Sequence, residues 1–495
     1  MPWSREIHGE NEFFSLSRDC FPAKVAPFCI HMNPIHQTAA KDRIPFGQKV
    51  AYGLGASTPI AFVNTVSGLT GLIYNIGLGV NPVLLGMVQM VPRIMDAICD
   101  PLFGSISDNT RTRWGRRRPY ILVGGLLTAV FYAALWMAPR GWGQNGLLAY
   151  YLVFSLIFFL ASSIFTVPHG ALGLEMSGDY HERTRLFAVA SFIGNISAIA
   201  TPWIYAVANS KLFPNEVVGM KYVGIVVGCF IAVTSVLCAT ICREGKFRQA
   251  SHQPKEPFWP SMKLTVQNPI FMRMILIVGL VTIGFNFVNG FSNYIMIYYV
   301  FDGAKRDASV VMAWLGGVWA VTALLAVFPM TWSSARLGKL RTMQIFVSLM
   351  IAGSLLKVVC YNPYHPWLAI FPTVLISSGM LGLYTMASSM MADVCDEDES
   401  RTGIRREGIY SAVYGWWIKM AISTAYLIAG FLLQSTRFND KIVHQLPSTC
   451  FWLRFWEIGL PCVLCTVSFW LLFRYPLTED RAYEIKAMLE RKRQL

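Results

Sequence analysis

The feature that most limits what this chain can fold into is a series of twelve apolar runs separated by short polar loops. About 20 apolar residues suffice to cross the hydrocarbon core of a bilayer. The runs lie at roughly 48–75, 82–108, 119–138, 147–176, 186–208, 221–242, 269–301, 308–332, 342–361, 365–393, 408–435 and 451–474. A backbone in lipid must satisfy its own polar groups, so runs of this length predict helices. The expected fold is an all-α membrane protein of twelve transmembrane helices in two pseudo-symmetric six-helix bundles. Only 14% of residues are charged, well below the about 25% of an ordinary soluble chain.

The net charge of +14 does not point to nucleic acid, because the basic residues sit in loops between apolar runs. One set of loops holds Arg111, Arg113, Arg116, Arg117 and Arg118, then Arg183 and Arg185, then Arg243, Lys246, Arg248 and Lys255. It continues with Arg336, Lys339 and Arg341, then Arg401, Arg405 and Arg406. The opposite set is sparse, apart from Arg140, Lys305, Arg306, Arg437 and Lys441. By the positive-inside rule both termini are cytoplasmic, in a plasma (inner) membrane. The expected organisation is a cytoplasmic tail at 1–46, a bundle at 47–243 and a central cytoplasmic loop at 244–268. A second bundle at 269–474 and a cytoplasmic amphipathic tail at 475–495 follow. Met32 is an alternative start.

The loop after span two, RTRWGRRRPYILVG, has an echo after span eight, ARLGKLRTMQIFVS, each with basic residues flanking a glycine (Gly115 and Gly338). Internal repeats of this kind are typical of secondary transporters, which bind solute at the repeat interface. The cysteines lie mostly in apolar runs and read as packing residues. Cys462 and Cys465 form C-x-x-C inside such a run without a matching ligand pair, so neither metal nor redox chemistry is expected there.

Span two contains PRIMDAICDPLFGSISDN. Arg93, Asp96 and Asp100 stand at i, i+3 and i+7, on one helix face. Each charge near mid-membrane costs about 2.5–3.5 kcal/mol on insertion scales, so that face must look onto something polar. Two carboxylates a turn apart offer oxygens to a hard cation or take up a proton. Lys419, in YGWWIKMAIS of span eleven, is too deep to reach either interface. Its obvious partners are Asp96 and Asp100, in a static ion pair or in a set that reorganises when a cation binds.

Span four ends FLASSIFTVPHGALGLEM, where Pro168 frees a carbonyl. Ser162, Ser163 and Thr166 supply hydroxyls, and His169 either lines a pore or satisfies the freed backbone. Asn286, Asn289 and Asn293 of span seven form an amide stripe that suits a hydroxyl-rich ligand or helix–helix bonding. Tyr384, Tyr414, Trp416 and Trp417 offer aromatic faces to a ligand or anchor at the interface. Candidate gate residues at the cytoplasmic helix ends are Asp108, Arg111, Arg116, Arg117, Glu175, Glu182, Asp393 and Glu397.

These residues resemble a known family. RIMDAICDPLFGSISDNTRTRWGRRRPYIL and GLYTMASSMMADVCDEDESRTGIRREGIYSAVYGWWIK are similar to the glycoside–pentoside–hexuronide:cation symporters of the major facilitator superfamily. KVAYGLGA of span one and TVPHGALGLEMSGDYHERTRL around the span four–five loop fit as well. The resemblance implies alternating access and uptake of a sugar coupled to sodium, lithium or protons. It implies cation-site carboxylates at Asp96 and Asp100, a cation-site hydroxyl at Ser163, and coupling charges at Arg93 and Lys419. The chain departs from the melibiose carriers at two sugar-binding carboxylates and at two further positions. Their helix-one Asp corresponds to Ile60, their helix-four Asp to Thr166, their helix-five Arg to Ser191, and a helix-two Asn to Cys99.

The expected function is therefore cation-coupled symport of a sugar, glycoside or related polar solute. Thr166, His169, Asn286, Asn289, Asn293, Tyr414 and Trp417 are the candidate solute contacts. No cofactor and no metal beyond a transported Na+ or H+ is expected. The partners are a small solute and the bilayer, with a monomer as the working unit. The alternatives are a sodium-coupled lysolipid carrier, as in animal relatives of the family, and a non-transporting sensor of the same fold. No nucleophile–base set suggests an enzyme, and no Gly-rich phosphate loop suggests an ATP-driven pump.

Overall fold

The computed structural model describes residues 43–177, 179–244, 265–403, 407–439, 442–477 and 479–494. Twelve helices are long and apolar enough to cross a membrane. They are α1 (Phe46–Gly77), α2 (Pro82–Asn109), α3 (Arg118–Leu135), α4 (Gln144–Glu175), α5 (Tyr180–Ala208) and α6 (Glu216–Ile241). The second six are α7 (Pro269–Val300), α8 (Lys305–Leu337), α9 (Lys339–Cys360), α10 (Pro366–Thr402), α11 (Glu407–Ser435) and α12 (Pro447–Phe473). The expected tail helix follows as α13 (Glu479–Gln494). The largest difference from the sequence reading is at α10, which runs through the acidic segment ADVCDEDESRT to Thr402. It stops at Gly403, whose φ of 73° continues no right-handed helix. Most of the 1–46 tail and of the 244–268 loop, with Met32, Lys246, Arg248, Lys255, Arg405, Arg406 and Lys441, lies outside the described residues.

Local sequence sets the helix starts. Asn81 precedes Pro82, and its side chain accepts from the N–H groups of Val83 and Leu84. Asn268 precedes Pro269 and does the same for Ile270 and Phe271. Both pairs combine a capping amide with a proline at a position that needs no donor. Helix α1 departs from regular α geometry at Thr58–Phe62 and Gly71–Gly77, where it widens into π turns. Such bulges are common at functional sites.

An even number of spans puts Phe46 and Phe473, the outer ends of α1 and α12, on one face of the slab, here called the terminal face. The opposite face is the distal face. Helices α1–α6 pack among themselves, as do α7–α12. The halves meet mainly along α2 with α11 and α5 with α8. Gly86 and Gly430 make the first contact possible. A Cβ on Gly86 would stand 2.9 Å from the Tyr426 carbonyl, and one on Gly430 would stand 2.7 Å from the Pro82 carbonyl.

The core is divided unevenly. Toward the distal face one apolar cluster joins both halves, including Val66, Leu72, Tyr74, Phe158 and Met220 with Phe287, Phe291, Tyr294 and Ile297. Toward the terminal face each half has its own cluster. One surrounds Tyr52, Phe165, Leu172 and Cys238, the other Phe346, Met386, Met390 and Tyr410. Ile485 and Leu489 of α13 are buried in the latter, so the tail helix is packed onto the second half.

Candidate functional site

Between the halves lies a cavity of about 610 Å³. Its wall comes from α1, α2 and α5 on one side and from α7, α8, α9, α10 and α11 on the other. Ile60, Leu69, Leu72, Leu315 and Ile376 supply apolar surface. Asn286, Asn293, Ser292, Thr373 and Tyr384 supply amides and hydroxyls. The Tyr384 hydroxyl is paired with the Thr282 hydroxyl at 3.1 Å, either one donating.

The distal end of the cavity is closed by contacts that cross between halves. Tyr294 of α7 donates to Asn75 Oδ1 of α1 at 2.8 Å, and Lys305 of α8 pairs with Glu216 of α6 at 2.6 Å. Trp203 and Trp314 meet edge to face. At the terminal face the ion pairs between Lys49 and Glu182, between Arg116, Arg117 and Glu175, and between Lys339 and Asp393 each remain within one half. Two of these occupy matching places. Arg117 joins the α2–α3 turn to the end of α4, and Lys339 joins the α8–α9 turn to α10. Gly115 (φ 110°) and Gly338 (φ 82°) hold the left-handed backbone in the two turns, so the echo seen in the sequence is repeated in geometry.

At mid-membrane the predicted ion cluster is assembled. Lys419 Nζ stands 2.8 Å from Asp96 Oδ2 and 2.5 Å from Asp100 Oδ2. Ser163 of α4 donates to Asp96 Oδ1 at 2.6 Å. Asp100 Oδ1 is buried without a partner among the described residues. One ammonium therefore bridges two carboxylates between α11 and α2, and one carboxylate oxygen is left unused. An isolated buried charge is strongly destabilising, whereas a paired one is tolerated. A monovalent cation that took the carboxylate oxygens would compete directly with Lys419.

The remaining candidates scatter. Arg93 shares a face with Asp96 in sequence, yet its guanidinium donates to Ser67 of α1 at 3.0 Å and lies 4.5 Å from the Phe159 ring centre. It lines the cavity. Asn286 and Asn293 line it too, although Asn286 spends a donor on the Thr282 carbonyl of its own helix. The Asn289 side chain lies outside the described residues, as does that of Asp108. His169 does not reach the cavity. It is 4% exposed, stacked between Tyr52 and Phe165, with Nε2 3.0 Å from the Tyr52 carbonyl. Thr166 is half-buried and away from the cavity wall. Trp417 packs against Gly279, and its Nε1 and the Tyr414 hydroxyl are buried without a partner among the described residues. Arg111 is exposed.

Three features escaped the sequence reading. Glu244 caps α3: its carboxylate accepts from the backbone N–H groups of Arg116, Arg117 and Arg118 at 2.9, 2.7 and 3.2 Å. Glu216 and Lys305 form the distal link. Lys357 of α9 and Glu457 of α12 form a pair at 2.7 Å, with both side chains almost wholly buried. Tyr361 donates to the same Glu457 oxygen at 2.7 Å, so the Ser292 hydroxyl, 3.2 Å away, donates to Tyr361.

A cavity sealed at one face and flanked by an ion cluster between two helical halves is the architecture of a carrier that exposes its interior to one side at a time. Comparison with known proteins agrees. The chain belongs to the MFS/sugar transport protein family, whose profile it matches over residues 51–479. These are multi-pass membrane transporters, not enzymes. It is 25% identical to a putative glycoside/cation symporter, YagG, of Escherichia coli, across 90% of this chain and 95% of that one. It is 21% identical to sodium-dependent lysophosphatidylcholine symporter 1 of Xenopus tropicalis, across 92% of each chain. The crystal structure of a D-xylose-proton symporter shares the fold, with a TM-score of 0.60 at 13% identity, over 88% of this chain and 99% of that one.

Proposed function

We propose that the chain is a secondary active transporter that couples the uptake of a sugar, glycoside or related polar solute to a monovalent cation. The observation that carries this reading is Lys419 bridging Asp96 and Asp100 at the depth where the halves stop sharing a core. Asp96, Asp100 and Ser163 form the cation site, and Lys419 holds their charge when no cation is bound. Binding of Na+ or H+ frees Lys419 and loosens α11 from α2. Coupling then follows if only the empty and the doubly loaded carrier interconvert.

The solute occupies the cavity, against Asn286, Asn293, Tyr384 and Ile60. Arg93 ties the cavity wall to the helix that bears the cation site. With the basic loops on the cytoplasmic side of a plasma membrane, the terminal face is inside and the structure is the inward-facing state. Arg116, Arg117, Glu175 and Asp393 then belong to the cytoplasmic helix ends that separate in it. A single chain contains both halves and works as a monomer.

The test is uptake of a radiolabelled sugar panel by proteoliposomes, with and without inward sodium or proton gradients. Asp96→Asn and Asp100→Asn are each expected to abolish gradient-driven accumulation while leaving solute exchange measurable. Accumulation that survives both substitutions rules the cation site out. A second reading, a sodium-coupled lysolipid carrier, is favoured by the apolar share of the cavity wall (Leu69, Leu72, Leu315, Ile376, Ile422) and by the lysophosphatidylcholine symporter among the relatives. Labelled lysophosphatidylcholine in the same assay separates the two.

A further inference from the structure

The cavity wall has an unbalanced chemistry. Arg93 and Lys357 both line it, from opposite halves, and among the described residues no carboxylate does. Neither cation is there by default. Arg93 donates to a hydroxyl, lies over a ring, and keeps Nε buried without a partner among the described residues. Lys357 is held from behind by Glu457, which is completely buried and takes no part in the wall. The same Glu457 oxygen accepts from Tyr361, and the other has no partner among the described residues. An ammonium has three N–H donors. The one bond to Glu457 fixes the side chain and leaves the remaining donors for the cavity that Lys357 lines.

We infer that Lys357, positioned by Glu457 and Tyr361 at the distal end of the cavity, recognises an acidic group on the solute, and that the solute is an acidic sugar such as a hexuronate or aldonate. This rests on the reading of the chain as a cation-coupled sugar carrier. The hydroxyls of the sugar face Ser292, Asn286 and Asn293, and its carboxylate faces Lys357, with Arg93 adding to the positive potential. A carboxylate meeting an ammonium in a water-poor site forms a charge-assisted hydrogen bond, stronger than any a neutral hydroxyl offers.

Charge balance points the same way. Among the described residues, three cations, Arg93, Lys357 and Lys419, stand at or beside the cavity and ion cluster against three carboxylates, Asp96, Asp100 and Glu457. The empty set sums to zero. One Na+ or H+ adds a single positive charge, and one monoanionic solute removes it. The loaded carrier then crosses its occluded state without uncompensated charge in a medium where such charge is costly.

The experiment uses the full chain in proteoliposomes under inward sodium and proton gradients, with matched radiolabelled pairs. These are D-glucose and D-glucuronate, D-galactose and D-galacturonate, and D-xylose and D-xylonate. The acidic members are expected to accumulate, with each neutral partner about tenfold weaker or worse. The double variant K357M/E457Q removes both charges and leaves neither unpaired. It is expected to raise the KM for the accumulated acid about tenfold or more, while K357R keeps it within about threefold. Should the double variant fail to reconstitute, the wild type is challenged with the methyl ester of the accumulated acid, which is expected to compete about tenfold more weakly. Preferential accumulation of the neutral sugars, or an acid KM unchanged in K357M/E457Q, or an ester that competes equally, overturns the inference and leaves symport intact. If no member accumulates under either gradient, or lysophosphatidylcholine alone does, the sugar-carrier reading fails and this inference with it.

Discussion

Lys419 and Lys357 show how the same residue type in an apolar helix acquires different partners. Lys419 bridges two carboxylates of the opposite half, on α2. Lys357 stays inside its own half, bound to Glu457. Removing one member of a buried pair leaves the other charge in low dielectric, at a cost of about 3–5 kcal/mol. Glu457→Gln is therefore expected to lower the thermal midpoint of the purified protein clearly, and K357M/E457Q to recover most of the loss. An equal drop in both would assign the destabilisation to packing. Lys357, in SLLKVVC, and Glu457, in LRFWEIGL, are charges inside apolar runs, the same criterion that singles out Lys419. Lys357 is the one charge in its apolar run, Glu457 has Arg454 three residues before it, and the two partners are 100 residues apart, so neither run shows the pairing. His169 shows the converse. A histidine beside a proline reads equally as a pore residue or as a partner for the freed backbone, and only the placement of Tyr52 and Phe165 shows that it is stacked on both rings.

Among the elements, α2 is the most heavily used. Its distal end lies against α11 through Gly86 and Gly430, its middle bears the ion cluster, and its last turns lead into the basic loop. The glycine contact leaves no room for a branched side chain against backbone. Gly86→Val and Gly430→Val are expected to prise α2 from α11 at the distal face and to shift the carrier toward the state open there. The check is labelling of a cysteine at position 72, on the cavity wall of α1, in a cysteine-depleted chain by a membrane-impermeant maleimide applied from the distal side, which should become faster in both variants. Unchanged labelling would place the distal closure elsewhere, at the α5–α8 contact. Helix existence and order were legible in the sequence because length and apolarity decide them in lipid. The extension of α10 to Thr402 was not, since polar residues at a helix end no longer lie in the bilayer and hydropathy says nothing about them.

For the whole molecule, the uneven core defines a state: joined toward the distal face, divided toward the terminal face. Alternating access requires a second state in which the distal links, Lys305 with Glu216 and Tyr294 with Asn75, are broken. Each is modest on its own, about 1 kcal/mol, which suits contacts that must break in every cycle. Cysteines placed at positions 216 and 305 of a cysteine-depleted chain and joined by a short thiol-cleavable reagent are expected to stop transport. Reduction should restore it. Transport that continues across the link would show that these helices do not part.

The sequence by itself determined that the chain lies in a membrane, how many times it crosses, and which of its charges are too deep to be incidental. These follow from local quantities, the length and apolarity of each run and the spacing of residues on one helix. Tertiary structure alone decided which charges meet. Asp96 turned to Lys419 and Ser163 rather than to Arg93 three residues away, because the cost of a buried charge is settled by whichever partner packing brings within reach. It also decided that the cavity presents Arg93 and Lys357 without a carboxylate. That arrangement depends on eight helices drawn from both halves, and no stretch of sequence short enough to read as a motif contains it.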